Sequence, residues 1–139
     1  MTASILLLAL LGSPHFTVTA AYQPPARAGA DGAIAVSFAA LDPDVRVNLE
    51  PAPRLRLEPA QRVLLDKQKP APSTVPVFDP DTARYVDAGK PVTFPVALAP
   101  GAPKGTQAVK ASLVFFYCSK RESWCRRGSD EIEVLVSVP

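Results

Sequence analysis

Cys118 and Cys125 are the only cysteines of the chain, and both lie in one short segment, FFYCSKRESWCRR at 115–127. Two thiols this close in sequence can form a disulfide or exchange electrons with the thiols of another protein. Their C-x6-C spacing differs from the C-x-x-C of thioredoxin-like folds and from half of a four-ligand zinc site. The single histidine, His15, is far away in sequence, so we expect no metal and no cofactor. Disulfide or redox chemistry is what these residue types allow.

The residues beside the two cysteines favour the reactive form of a thiol. Basic residues outnumber acidic ones in this segment, with Lys120, Arg121, Arg126 and Arg127 against Glu122. Positive charge stabilises a thiolate, and the preceding aromatic rings could shield the sulfurs or offer a flat surface to a partner. We therefore predict that the residues supporting the pair are Tyr117, Trp124, Arg126 and Arg127. The alternatives are ordinary: solvated charges, strand aromatics, and a tryptophan that closes one end of the fold.

The two cysteines are predicted to meet because they flank the turn of a hairpin. Apolar residues alternate along 106–118 and again along 130–138, so each segment is predicted to be a strand with one buried face. A disulfide needs Cα atoms about 4.4–6.8 Å apart, which opposing residues at the base of a hairpin loop satisfy. Closing a loop of about eight residues removes roughly 2.5 kcal/mol of chain entropy. Because this loss of entropy in the unfolded chain stabilises the fold, a purely structural disulfide is the alternative to a redox-active pair.

The fold that must position this hairpin is predicted from prolines and from the period of the apolar residues. Sixteen prolines among 139 residues is roughly twice the usual proline content, and proline breaks helix interiors. Short alternating segments separated by proline and glycine turns are typical of an antiparallel sandwich. We predict an all-β fold, an immunoglobulin-like antiparallel β-sandwich of seven to nine short strands. Residues 13–139 are predicted to form this single domain.

The first twelve residues have two interpretations. Ile5 to Leu11 is apolar but too short to cross a bilayer as a helix, so no stable membrane span is predicted. The run suits the apolar part of a signal peptide, although no Lys or Arg precedes it. The other interpretation is a buried first strand. The first favours a periplasmic or secreted protein.

Proline also marks two later segments. From 67 to 87 prolines are too frequent for a central strand, which predicts a long loop, and long loops in compact domains are often functional. The segment KPVTFPVALA at 90–99 has strand-forming residues but contains Pro91 and Pro95. Because proline cannot donate a ladder hydrogen bond, we expect 90–99 to be an edge strand.

The final segment FFYCSKRESWCRRGSDEIEVLVSVP resembles the last hairpin of the N-terminal domain of the thiol:disulfide interchange protein DsbD and its relatives. A similar hairpin closes the C-terminal domains, related to disulfide correctors, of NHL-repeat, thioredoxin-like proteins. In these domains an aromatic-rich strand leads into a first cysteine, and a second cysteine leads into a final alternating strand. The preceding KPVTFPVALAPGAPKGTQAVKASLVFFYC resembles the same family, so the likeness covers about the last fifty residues.

The resemblance implies a function for the cysteine pair. In the family, an immunoglobulin-like domain in the periplasm carries the pair, so Cys118 and Cys125 would accept electrons from a thioredoxin-like partner and pass them to a client. A loop with an aromatic residue caps the family's pair, and Phe78 or Tyr85 would be that cap here. The cysteine spacing is one residue longer than the DsbD pattern, and no thioredoxin or membrane domain accompanies it. The electron donor is therefore expected to be a separate protein.

The sequence gives less support to other functions. A net charge of +2 and one basic loop supply few phosphate contacts, so nucleic acid is not predicted as a partner. Asp42-Pro43-Asp44 and Asp79-Pro80-Asp81 favour turns over calcium binding. The competing hypothesis is an immunoglobulin-like interaction module with an inert disulfide. Neither the oligomeric state nor the attacking cysteine follows from the sequence.

Overall fold

A computed structural model describes residues 15–68, 77–78, 85–87, 90–119 and 121–139, with the backbone alone at 77–78. These residues form strands and turns, without a helix in the ranges just given. The strands, in chain order, are β1 (Phe16–Gln23), β2 (Gly32–Ala40), β3 (Val45–Val47), β4 (Arg54–Leu57), β5 (Leu64–Asp66), β6 (Val77–Phe78), β7 (Tyr85–Val86), β8 (Val92–Leu98), β9 (Gly105–Ser119) and β10 (Trp124–Val138). Residues 1–12 lie outside the described part, so both interpretations of them stay predictions.

Eight of the strands form two antiparallel four-stranded sheets. The first sheet has the order β1-β2-β8-β5, and the second has the order β10-β9-β3, with β4 also paired to β9. When β3 and β4, which both pair with β9, are counted as one interrupted strand and the β6–β7 pair is left out, lettering the strands in chain order gives the ABED and GFC arrangement of the immunoglobulin fold. The predicted all-β sandwich is confirmed. The short β6–β7 pair is additional to the two sheets.

The core lies between the inner faces of the two sheets. Alternate residues of β2 and β8 enter it from one side, among them Ile34, Val36 and Phe94, each with an exposed fraction of 0%. Leu113 and Phe115 of β9 enter from the other side and are equally buried. Burial of each large side chain contributes about 1.5–3 kcal/mol, so the core fixes which face of each strand points outward.

The last hairpin is longer than the sequence indicates. Strands β9 and β10 each contain 15 residues and pair along their whole length, from Gly105 opposite Val138 to Ser119 opposite Trp124. The sequence predicted the second strand only from 130, because charged residues and Gly128 hide the alternation before that point. In the structure Gly128 is buried opposite Phe115 and continues the ladder.

Strand β8 is internal, so the expectation of an edge strand at 90–99 is wrong. Strand β8 pairs with β2 on one side and with β5 on the other. Proline is tolerated because the pairing with β5 ends beside it: Asp66 opposite Val96 is the last pair, and the N–H of Lys67 then donates to the carbonyl of Pro95 (3.0 Å). No partner strand needs a hydrogen bond from Pro95 there.

Strands β3 and β4 lie along the same side of β9. Val45–Val47 pairs with residues 119–117, and Arg54–Leu57 pairs with residues 114–111. Between them the N–H of Asn48 donates to the carbonyl of Phe116 (2.7 Å), and the Glu50–Pro51 peptide is cis. The two short strands therefore act as one interrupted edge strand beside the cysteine-bearing hairpin.

Candidate functional site

Cys118 and Cys125 are directly opposite each other in the β9–β10 register. Their sulfur atoms are bonded at 2.06 Å, with a χ3 of 103° and a Cα–Cα distance of 4.0 Å. The predicted meeting of the two cysteines at the base of the hairpin loop is therefore confirmed. The ladder ends at the Ser119–Trp124 pair, and Ser123, directly before Trp124, takes a positive φ of 56°.

The disulfide lies on the outer face of the second sheet. Residues on either side of Cys118 in the strand, Tyr117 and Ser119, are buried at 4% and 2% exposure. Because successive strand residues point to opposite faces, Cys118 points away from the core. Cys118 is partly buried, whereas its partner Cys125 is exposed. Of the two residues that carry the bond, Cys125 is therefore the more exposed on this outer face.

The two aromatic residues next to the cysteines face the other way. Tyr117 and Trp124 contact each other inside the sandwich end, with ring centroids 5.9 Å apart, and His15 contacts both rings at 5.5 and 5.2 Å. Trp124 also packs against the core cluster. These rings lie on the opposite face of the sheet from the sulfurs, so they do not shield the disulfide as the sequence suggested. They close the end of the fold, which was the alternative for Trp124.

The three described arginines of the hairpin lie in three different places: on the outer face, on the inner face and in the loop region. Arg127 is exposed on the same face as the disulfide, one row along from it, opposite Phe116. Arg126 lies on the other face, with its guanidinium carbon 4.4 Å from the centroid of the Trp124 ring. Arg121 pairs with Asp44 at 4.0 Å in the loop region. Of the two predicted supporting arginines, only Arg127 shares a face with the sulfurs.

Arg46 of β3 is the basic residue that sequence reasoning missed. The register places Arg46 directly opposite Cys118, so Arg46, Cys118 and Cys125 form one row across the outer face. Its neighbours Val45 and Val47 are buried, which turns the Arg46 side chain outward. No local signal could have found it, because the contact depends on pairing between strands that are distant in sequence.

Asp44 connects the β2–β3 turn to the tip of the hairpin. Its carboxylate accepts hydrogen bonds from the hydroxyl of Ser119 (2.5 Å) and from the N–H of Arg121 (2.9 Å). The Ser119 hydroxyl in turn accepts from the N–H of Glu122 (3.1 Å). The bond from Ser119 is the main reason why the pKa of Asp44 is lowered, followed by the bond from the Arg121 backbone. These bonds order the loop beside the disulfide.

Asp42-Pro43-Asp44, the first of the two Asp-Pro-Asp tripeptides, forms a turn. The N–H of Asp44 donates to the side chain of Asp42 (3.0 Å), which is a turn of the kind the sequence favoured over calcium binding. Within the described ranges, no group of three His, Cys, Asp or Glu side chains could hold a metal ion. Asp79-Pro80-Asp81 lies outside those ranges.

One of the two predicted cap residues reaches the disulfide face. Tyr85 forms a bridge with Asn48, which follows β3 on the outward side, while Val86 beside it is buried at 3%. Tyr85 therefore lies on the outer face, with β3 between it and the cysteine-bearing β9. Phe78 is opposite Tyr85 in the β6–β7 pair, but its side chain is outside the described residues. The cap therefore stays a prediction.

Comparison of the chain with protein-family models, with curated proteins and with solved structures finds no match. The resemblance of the last hairpin to the DsbD N-terminal family therefore stays a prediction. A separate search of the described residues finds no helix long and apolar enough to span a membrane.

Proposed function

We propose that this domain is a thiol:disulfide exchange module in which Cys118 and Cys125 pass electrons between a thioredoxin-like partner and a client disulfide. The observation that carries the proposal is the exposure of the bond: it lies on an outer sheet face, not in the core. A staple needs no exposure, whereas a partner thiolate must reach a sulfur along the S–S axis. Arg46 and Arg127 on the same face would stabilise the thiolates that exchange produces.

The exchange proceeds in two balanced steps. A thiolate of the reduced partner attacks one sulfur of the Cys118–Cys125 bond, which forms a mixed disulfide and releases the other cysteine as a thiolate. The second thiol of the partner, once deprotonated, then attacks the mixed disulfide. The partner leaves oxidised, and the domain keeps two electrons as a cysteine pair. The reduced pair then reduces a client disulfide by the same two steps, with a thiolate of this domain attacking and the disulfide of the client being attacked.

The difference in exposure assigns roles to the two sulfurs. Cys125 is exposed and Cys118 is partly buried, so the incoming thiolate meets Cys125 first. Cys118 is then the leaving group, and its register partner Arg46 is beside the thiolate that forms. A positive neighbour lowers the pKa of a leaving thiol and speeds its departure. Cys125 therefore carries the mixed disulfide in this proposal.

Export to the periplasm or outside the cell belongs to the same proposal. Disulfides persist in oxidising compartments and are rare in the cytosol, and the described structure contains this bond in a folded domain. The apolar run at 5–11 supports the same compartment if it is part of a signal peptide.

The deciding experiment is a redox titration of the purified domain in dithiol buffers, followed by mass after alkylation. An exchange module should equilibrate well above the roughly −300 mV below which structural disulfides lie. A value below that range, with no reduction by a thioredoxin-like dithiol within minutes, would contradict the proposal. It would favour the immunoglobulin-like interaction module with an inert disulfide.

Trapping tests the assignment of the two sulfurs. With Cys118→Ala, the Cys125 thiolate should form a mixed disulfide with a thioredoxin-like protein that lacks its resolving cysteine and whose remaining cysteine is activated as a disulfide with thionitrobenzoate, which leaves as a thiolate. With Cys125→Ala, the partly buried Cys118 should trap the same partner much more slowly. Equal trapping by both variants would refute the assignment while leaving exchange itself possible.

A further inference from the structure

The outer face of the second sheet has an unequal distribution of charge around the disulfide. Three arginines flank the central strand β9 in the half nearest the hairpin loop: Arg46 opposite Cys118, Arg127 opposite Phe116, and Arg54 opposite Val114. We call these three arginines, together with Cys118, Phe116 and Val114, the arginine-flanked strip. Phe116 and Val114 are only half-buried, so the strip presents apolar surface bordered by positive charge.

The arginines point outward because the residues beside them point inward. Leu55 next to Arg54 is 5% exposed, and Gly128 next to Arg127 is buried. Arg54 and Arg127 themselves are exposed, and among the described residues neither lies within 4.0 Å of a carboxylate. Within the described part of the chain, no ion pair neutralises these two charges, and both contribute to a positive potential over the strip.

Farther from the hairpin loop the same face carries charges of both signs. Ser112 lies between Arg56 of β4 and Glu131 of β10, and its hydroxyl donates to the Glu131 carboxylate at 3.2 Å, while Glu133 lies opposite Lys110. The face is therefore positive beside the disulfide and of mixed sign farther along. A partner that is negative along its full length gains little net attraction in the mixed part, and three arginines supply few contacts for a phosphate chain.

We propose that the arginine-flanked strip binds an acidic polypeptide segment in extended conformation. Residues on one face of an extended segment repeat every ~7 Å, which is also the spacing of successive rows along β9. Acidic side chains at alternate positions would then meet successive arginines, and the methylene groups of those same side chains would cover Phe116 and Val114. The segment lies beside Cys118, so its bound position is adjacent to the disulfide.

The test uses a labelled peptide of about ten residues in which Glu alternates with Val and Thr, long enough to cover the strip. Binding is measured by fluorescence anisotropy at low and at physiological ionic strength, and a peptide with Gln in place of Glu is the control ligand. We expect the Glu peptide to bind at least about tenfold more tightly than the Gln peptide, and salt to reduce this difference.

Two double variants that change the net charge equally distinguish an effect of the strip's own arginines from an effect of the overall charge. Arg54→Ser with Arg127→Ser should weaken binding at least about tenfold, whereas Arg27→Ser with Arg62→Ser, two exposed arginines outside the strip, should change it less than about twofold. Arg54→Glu with Arg127→Glu should bind a Lys peptide of the same design instead. Thermal unfolding of each variant confirms that it is folded.

Three outcomes would overturn the inference. In the first, both double Ser variants lose the same amount of peptide affinity. In the second, the Glu and Gln peptides bind equally well. In the third, a single-stranded oligonucleotide or an anionic lipid vesicle binds more tightly than the Glu peptide and depends on the same arginines. Because the peptide contains no cysteine, its binding is independent of electron exchange. A domain that binds the peptide but fails the redox titration would retain this inference and lose the proposed function.

Discussion

Phe115 occupies the space above Gly128, its register partner across the last hairpin. A Cβ added at Gly128 would lie 2.6 Å from the end of the Phe115 ring, and that ring is fully buried. Phe115 also contacts Phe16 and Phe38, with ring centroids 5.9 and 4.9 Å apart. The glycine therefore lets an aromatic cluster form directly beneath the disulfide-bearing end of the hairpin.

Gly128→Ala should destabilise the domain, because the added Cβ would clash with the Phe115 ring, which is fully buried and packed against Phe16 and Phe38. We expect a loss of about 1–3 kcal/mol in the free energy of unfolding, the usual range for overpacking a core. The measurement is chemical denaturation of the oxidised protein. Ser129→Ala, at an exposed position next to it, is the control and should change stability little. An unchanged stability in Gly128→Ala would show that the ring does not press on this position.

Asp130→Asn should stabilise the domain at neutral pH. Asp130 is 7% exposed, neither carboxylate oxygen has a hydrogen-bond partner among the described residues, and this burial raises its pKa. Between the pKa of the unfolded state, about 3.9, and the higher folded value, the folded state holds an extra proton. Stability attributable to Asp130 therefore falls as the pH rises through this window, and the cost persists at higher pH.

The check is the difference in unfolding free energy between Asp130→Asn and the unmodified protein across pH. We expect a gain of about 1–3 kcal/mol near pH 7 that shrinks towards zero below about pH 4. Glu131→Gln, an exposed carboxylate one residue away, should give no such gain. A gain that is the same at all pH values would mean that ionisation of Asp130 is not its cause.

The Arg121 amide should report a low pKa for Asp44. Its N–H donates to the Asp44 carboxylate, and the folded pKa of Asp44 is lowered. The stability that Asp44 contributes is thus present above its unfolded pKa and is lost as the pH falls through the lower folded value. In an NMR titration the Arg121 amide signal should move with a midpoint below about 3.9.

Ser119→Ala removes the main cause of that low value. We expect the Arg121 midpoint to rise towards the ordinary pKa and the unfolding free energy above that pH to fall, because Asp44 loses the donor that does most to lower its pKa. Ser112→Ala removes an exposed hydroxyl contact elsewhere on β9 and is the comparison. A midpoint unaffected by Ser119→Ala would remove this hydrogen bond as the cause.

Arg46 and Arg127 should increase the reactivity of the reduced cysteines, whereas Arg126 should not. Arg46→Ser with Arg127→Ser should slow alkylation at neutral pH by about threefold, equivalent to the 0.2–1 kcal/mol typical of exposed charge interactions. Arg126→Ser is the matched control, because its guanidinium lies over Trp124 on the other sheet face. A larger effect from Arg126 would contradict the division of the two faces.

The sequence was sufficient for the parts of the fold that depend on local pattern. Alternation along β9 and along the second half of β10 located the hairpin and predicted the meeting of Cys118 and Cys125. The alternation did not reveal that β10 begins before Gly128, because a glycine there is explained only by the Phe115 ring on the opposite strand. It also did not reveal that β8 is internal, because Pro95 is tolerated only through the position at which β5 ends. Arg46 was missed because only the register across β3 and β9 places it beside Cys118.

The β9–β10 ladder continues well beyond the disulfide, with thirteen further pairs from Arg126 opposite Tyr117 to Val138 opposite Gly105. Because these pairs extend over the rest of both strands, we expect their backbone hydrogen bonds to remain when the sulfur–sulfur bond opens. The two thiols would then stay tethered side by side, and their reclosure would be a unimolecular reaction at a high effective concentration. Opening the bond would therefore leave the domain's shape intact, and the sheet would serve as a rigid template on which the bond re-forms.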